Sequence, residues 1–234
     1  LAVLLNKSFN PLEFPHVNAA YGIGSQVAAQ SQTLSAALVT AFTPEITAAE
    51  GRGDRQRMLR QATRASKYGA YLVLLFAVPL VLEADYVLKL WLGQPPRLAA
   101  TFCRLALAML VVDKLTCGQM VAVAAGGRVA GYQAMLGGLQ MLTLPLAWLA
   151  IRHGAGPASV MWVSLATVSA CSLGRAVWAH GLVGASLPVW GRQVLARIAV
   201  TLAGSGLAGW GVMRLFGGPS LPRLLAVCGG TLLA

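Results

Sequence analysis

Charge is scarce in this sequence. Only 11% of its 234 residues are Asp, Glu, Lys or Arg, less than half of the roughly 25% usual in soluble domains. So few charged side chains cannot cover a water-facing globule of this size, which excludes a soluble enzyme. Acids are scarcer still, seven against 18 Lys and Arg, for a net charge of +11. The three histidines, His16, His153 and His180, build neither a metal cluster nor a catalytic triad by spacing. The four cysteines, Cys103, Cys117, Cys171 and Cys228, show no metal-ligand spacing and read as small buried hydrophobes. No glycine-rich phosphate loop followed by lysine is found, so nothing points to an ATPase. No signal-peptide pattern is legible.

Apolar residues fill the space that charge leaves. They make up 57% of the chain and come in long runs, such as residues 71–82, 105–112 and 199–212. These runs recur at intervals of about thirty residues, one bilayer crossing plus a short loop. In lipid each segment must satisfy its own backbone hydrogen bonds, so the runs read as helices. The fold class is therefore all-α: a polytopic transmembrane helical bundle of about six full spans, with truncated segments at both ends. The spans are expected at 17–43, 68–92, 98–125, 130–151, 158–183 and 194–216. A short helix tail over residues 1–5 precedes a proline-bearing loop with Pro11 and Pro15, and a seventh apolar segment starts near Leu221. Both ends fall in apolar segments, so the chain is expected to be an internal fragment of a longer protein.

The basic residues lie between the apolar runs, as the positive-inside rule expects. No interleaved aromatic motif accompanies them, so nucleic acid is not the expected partner. Residues 51–67, read as a loop, carry Arg52, Arg55, Arg57, Arg60, Arg64 and Lys67 against Asp54. With that loop in the cytoplasm, Arg128, Arg192 and Arg197 join it there. Lys7, Lys89, Arg97, Arg152, Arg214 and Arg223 face the other side, while Arg104, Lys114 and Arg175 fall within spans. Arg57, Arg60 and Arg64 recur at helical spacing, so the loop is either a topology determinant alone or an amphipathic helix on anionic headgroups.

Several stretches carry a family likeness. They are Val17-Asn18-Ala19-Ala20-Tyr21-Gly22-Ile23-Gly24-Ser25-Gln26-Val27, then Phe42-Thr43-Pro44-Glu45-Ile46, then Arg64-Ala65-Ser66-Lys67 after a short Gly/Asp/Arg-rich stretch. The run from Leu82 through Glu83, Asp85, Lys89 and Trp91 to Gly93 follows, then Tyr132-Gln133, Gly137-Gly138 and Leu144-Pro145-Leu146. In order and spacing they resemble the polysaccharide-transporter branch of the multidrug/oligosaccharidyl-lipid/polysaccharide flippase superfamily, which includes Wzx-type O-antigen flippases. The resemblance covers about residues 1–184. It departs at Tyr21, where many relatives carry arginine. It implies two six-helix bundles around a central cavity, often with two further helices. Residues 1–184 would be the second bundle, incomplete at its N-terminus, and 185–234 the additional helices. It also implies alternating access and an undecaprenyl-diphosphate-linked oligosaccharide as cargo, moved across a bacterial cytoplasmic (inner) membrane for cell-surface polysaccharide synthesis. The expected partners are that cargo, membrane lipids and an N-terminal half of the same chain.

A flippase breaks no bond, so the chemistry to seek is a polar stripe and buried charge inside apolar helices. In the first span Asn18, Gly22, Gln26, Gln30 and Thr33 share one helical face, widened by Ser25, Gln32 and Ser35. Such a face suits sugar hydroxyls, and it equally suits bonding between helices. Asp113 and Lys114 lie near the middle of the third span. Asp113 is a candidate acceptor for a coupling proton or sodium ion, and no other cofactor is expected. Lys114 is a candidate for a phosphate or for a partner on another helix. Their side chains project about 100° apart on a helix, so they are not a natural facing pair. Arg175, in the fifth span, either snorkels to the headgroups or meets a diphosphate with its guanidinium fork; Arg104 has the same two readings. Asp85 and Lys89 have the spacing of an ion pair. Pro79 and Pro145 are candidate kinks, and Gly204, Gly206, Gly209 and Gly211 are candidate close contacts.

Three rival readings stay open. A drug/cation antiporter of the MATE cousins would need a carboxylate-centred cavity, and Asp113 is the only mid-span acid. A membrane-embedded enzyme of polysaccharide assembly would usually carry a large periplasmic loop, and the loops here are short. A scaffold that transports nothing is the third.

Overall fold

The structure, a computed structural model, describes residues 1–9, 16–127, 129–215 and 218–233, apart from the side chains of Lys7, Leu34, Leu232 and Leu233. The loop with Pro11 and Pro15, Arg128 of the orientation argument, and the expected helix stop at Phe216-Gly217 lie outside the described residues. Every described element is a helix or a turn.

The chain order is α1 (Ala2–Ser8), α2 (Val17–Gly51), α3 (Arg55–Leu82), α4 (Ala84–Leu92), α5 (Ala99–Lys114), α6 (Cys117–Ala125), α7 (Ala130–Met141), α8 (Thr143–Arg152) and α9 (Ala158–Val183). Then come the short α10 (Leu187–Trp190), a π-helical turn at Gly191–Leu195, α11 (Ala196–Leu215) and α12 (Leu221–Leu233). Four spans are long and apolar enough to cross a membrane: α3, α7 with α8, α9, and α10 through α11. A fifth is added if α5 and α6, bent by 40°, count as one. The chain is thus a multi-pass membrane protein by length and composition.

Of the six expected spans, the first is the one these apolar helices do not include. Helix α2 has 35 residues, about 52 Å at 1.5 Å per residue. It is long enough, but it is absent from the apolar set because its amides and hydroxyls dilute its leucines and valines. The reading of residues 51–67 as a loop is corrected. Only three residues separate α2 from α3. Gly53 adopts a left-handed φ of 75°, its N–H donates to Glu50 O at 2.9 Å, and the Asp54 N–H donates to Ala49 O at 3.0 Å. This is a glycine helix stop. Asp54 then caps α3, its Oδ1 accepting from the Arg57 N–H at 3.0 Å. Apart from Arg52 in the linker, the basic residues therefore ride on the first turns of α3, a spanning helix, and not on a separate surface helix.

Helix α2 packs along α3 and α5, α5 packs on α9, and α6 packs on both α3 and α9. One apolar cluster gathers Leu5, Val17, Val73, Phe102, Leu107 and Met161. A second, at the basic end, gathers Ile46, Met58, Val123, Tyr132 and Val183. A third joins Leu74 and Val78 to Trp190, Val194 and Ile198. Gly24 allows the α2–α5 crossing, where a Cβ would stand 2.9 Å from the Phe102 carbonyl carbon. Of the four glycines expected at contacts in α11, only Gly209 has one, against Leu82; Gly204, Gly206 and Gly211 face open space. Large apolar side chains such as Met141, Val200, Leu207 and Trp162 are exposed along α7, α9 and α11. They suit lipid, whose tails are as apolar as leucine.

Pro145 explains the α7–α8 join. Its ring removes an N–H and crowds the Met141 carbonyl, and the helix breaks at Leu142. Helix α3 runs through Pro79 and stops one turn later, at Glu83. The break at Leu115 and Thr116, where α5 and α6 bend by 40°, has neither proline nor glycine at it.

Candidate functional site

The α5–α6 break frees backbone groups in the middle of a span, and side chains from three other helices take them up. Trp190 Nε1 donates to Leu115 O at 2.8 Å. Ser172 Oγ on α9 donates to Val112 O at 3.2 Å and lies 3.1 Å from Thr116 Oγ1. Ser66 Oγ on α3 accepts from the Gly118 N–H at 2.9 Å. Gly118 must be glycine, because a Cβ there would collide with the Ala62 carbonyl oxygen. In an apolar medium an unsatisfied peptide group is costly, so these contacts hold the break in place.

The break carries Asp113 and Lys114, the last two residues of α5. One turn beyond Ser172 on α9, Arg175 reaches across. Its Nη1 donates to Asp113 Oδ1 at 2.6 Å and approaches the Asp113 carbonyl at 3.5 Å. Lys114 Nζ lies 3.6 Å from Asp113 Oδ2. The cations are the deeper partners, with side chains 11% exposed for Arg175 and 7% for Lys114 against 32% for Asp113. Two bases share one acid, so the cluster keeps an excess positive charge. Arg175 Nε and the hydroxyl of Tyr132 are both buried and have no partner among the described residues.

Three candidates drawn from two separate stretches thus meet. The snorkelling reading of Arg175 is corrected, since its head group turns inward to Asp113. The expectation that Asp113 and Lys114 do not pair is corrected as well, although Arg175 is the closer partner. The α2 stripe does not join this cluster. Asn18, Gly22, Gln26, Gln30 and Thr33 are all exposed on α2. Gln26 and Gln30 instead line a cleft of about 520 Å³ with Val27, Ser31, Phe76, Leu80 and Trp91. Thr33 spends its hydroxyl on its own helix, donating to Ala29 O at 3.1 Å. Ser35, at the edge of the stripe, is buried and donates to Gly69 O of α3 at 3.1 Å.

A second charged group lies at the α3–α4 break. Glu83, 2% exposed, accepts from Arg223 Nε of α12 at 2.6 Å. Asp85 pairs with Arg104 Nη2 at 2.6 Å, not with Lys89 as spacing suggested. Arg104 Nε also donates to Val81 O at 3.0 Å. At the basic end Arg57 binds Glu45 at 2.9 Å and Arg55 binds Glu50. The Arg57 hydrogen bond, seconded by Gln61, holds the Glu45 carboxyl below its usual range.

Sequence reasoning missed Ser66, Thr116, Ser172, Trp190 and Tyr132. Ser172 had a readable signal, lying three residues before Arg175 and so on the same face of α9. Among the described residues no group of His, Cys, Asp and Glu could hold a metal ion. Comparisons with family models, curated proteins and solved structures return no match.

Proposed function

We propose that this chain is part of a membrane transporter that flips an undecaprenyl-diphosphate-linked oligosaccharide from the cytoplasmic to the periplasmic leaflet of a bacterial inner membrane, by alternating access. In this reading residues 1–184 belong to a second helix bundle, 185–234 are additional helices, and an N-terminal half of the same chain completes the cavity. The observation that carries it is the excess positive charge buried in mid-span, two cations on one carboxylate. Charge inside a membrane helix is costly and marks function by default, and its sign matches a diphosphate, which a guanidinium binds through paired hydrogen bonds. The exposed amides of α2 support the reading, because they offer donors and acceptors to sugar hydroxyls. The cation antiporter is the weaker reading. It needs a carboxylate free for its cargo or coupling ion, and Asp113 is already held by two cations.

The test uses the full-length protein in proteoliposomes with a fluorescent undecaprenyl-diphosphate oligosaccharide and an external quencher. Transfer of the labelled lipid to the protected leaflet is expected. Proton-dependent efflux of a cationic dye without lipid transfer would replace this reading with the antiporter.

A further inference from the structure

We infer that Asp113 is a built-in stand-in for the cargo's phosphate, so that a diphosphate binds to Arg175 and Lys114 by displacing the Asp113 carboxylate. The inference rests on the anionic-cargo reading and adds how that site is kept closed when empty. Its two carboxylate oxygens are divided between two cations, Oδ1 on Arg175 at 2.6 Å and Oδ2 on Lys114 at 3.6 Å. A bridging phosphate would make the same division. The exposures fix which partner can leave. Asp113 is the accessible partner at 32% exposed, against 11% and 7% for the two cations. The carboxylate can therefore swing outward, whereas the cations would have to cross packed helices. A donor beyond those Asp113 uses is in place, since Arg175 Nε is buried and unpartnered among the described residues.

The charges also fit. With Asp113 engaged the cluster is one charge positive, and with Asp113 withdrawn it offers two buried positive charges to a diphosphate. Without a counter-ion these two cations would pay the full cost of burial, which gives the carboxylate its place in the empty chain. Arg175 also reaches the Asp113 carbonyl at the end of α5, 3.5 Å away. Exchange of the carboxylate for a phosphate thus takes place where the α5–α6 span bends.

The experiment uses the full-length protein in nanodiscs of zwitterionic lipid. The probe is farnesyl diphosphate, with farnesol as the uncharged control and inorganic pyrophosphate as competitor. Asp113→Asn is expected to bind farnesyl diphosphate about tenfold more tightly than wild type, because the internal competitor is gone. Arg175→Gln is expected to lose binding in either background. Competition by pyrophosphate is expected, placing recognition on the diphosphate and not on the chain. Wild type needs no substitution to fold, and its infrared difference spectrum on adding farnesyl diphosphate is expected to show a shifted carboxylate stretch. Wild-type binding with no carboxylate band, or with Asp113→Asn binding no tighter, would overturn the exchange and leave the anionic-cargo reading standing. Failure of wild type and Asp113→Asn alike to bind farnesyl diphosphate would remove both readings.

Discussion

Two helix breaks in this chain hold buried charge, and they are built differently. At the α3–α4 break, Glu83 is matched one to one by Arg223, with the acid the deeper partner at 2% exposed against 13%. At the α5–α6 break, Asp113 faces both Arg175 and Lys114 and remains a third exposed. The first arrangement ties α12 to the end of α3 through one acid and one base. The second leaves a charge unbalanced inside a span, where holding it serves no packing purpose. A balanced pair reads as structure, and an unbalanced cluster reads as a place for something that comes and goes.

The comparison can be attacked from the closed side first. Glu83→Gln strands the Arg223 guanidinium inside the protein and is expected to cost about 3–5 kcal/mol. Denaturant unfolding in detergent measures it, and the double variant Glu83→Gln/Arg223→Gln is expected to recover most of the loss. A cost near zero would dissolve the distinction between the two breaks. On the open side, Gly118→Ala pushes a Cβ into the Ala62 carbonyl and is expected to cost about 1–3 kcal/mol in the same unfolding experiment. Trp190→Phe removes the donor to Leu115 O and is expected to cost about 1 kcal/mol. Thr33→Val is expected to change stability by no more than about 0.5 kcal/mol, because its hydroxyl only doubles a carbonyl already used by its own helix. A larger effect on stability would return the α2 stripe to the role of interhelical bonding.

The sequence showed the helices well where glycine and proline mark their ends. Helix α9 runs over the expected 158–183, and α2 begins at the expected Val17. It showed them poorly where tertiary contacts decide. Nothing at Leu115-Thr116 signals a break, because the groups that stabilise it, Ser66, Ser172 and Trp190, lie on other helices. The dense charge of residues 51–67 suggested a loop, yet arginine, glutamine and alanine are good helix formers and Asp54 supplies the cap. Charge pairing was legible only as a list of partners. Asp113, Lys114 and Arg175 were each singled out, but their meeting depends on how α5 packs on α9. Local spacing even misled at Asp85, whose partner is Arg104 across the helix pair and not Lys89 one turn away.

The most direct test of the account sets Arg175→Ala beside Arg223→Ala in one proteoliposome preparation, scoring folded protein and lipid-diphosphate transfer per folded molecule. Arg175→Ala leaves Asp113 paired with Lys114, so it is predicted to stay folded yet transfer at less than about a tenth of the wild-type rate, a barrier raised by more than about 1.4 kcal/mol. Arg223→Ala is predicted to lose stability, while the molecules that remain folded transfer normally. Wild-type transfer by Arg175→Ala would contradict the account, because the unbalanced charge at the α5–α6 break would then do nothing for transport.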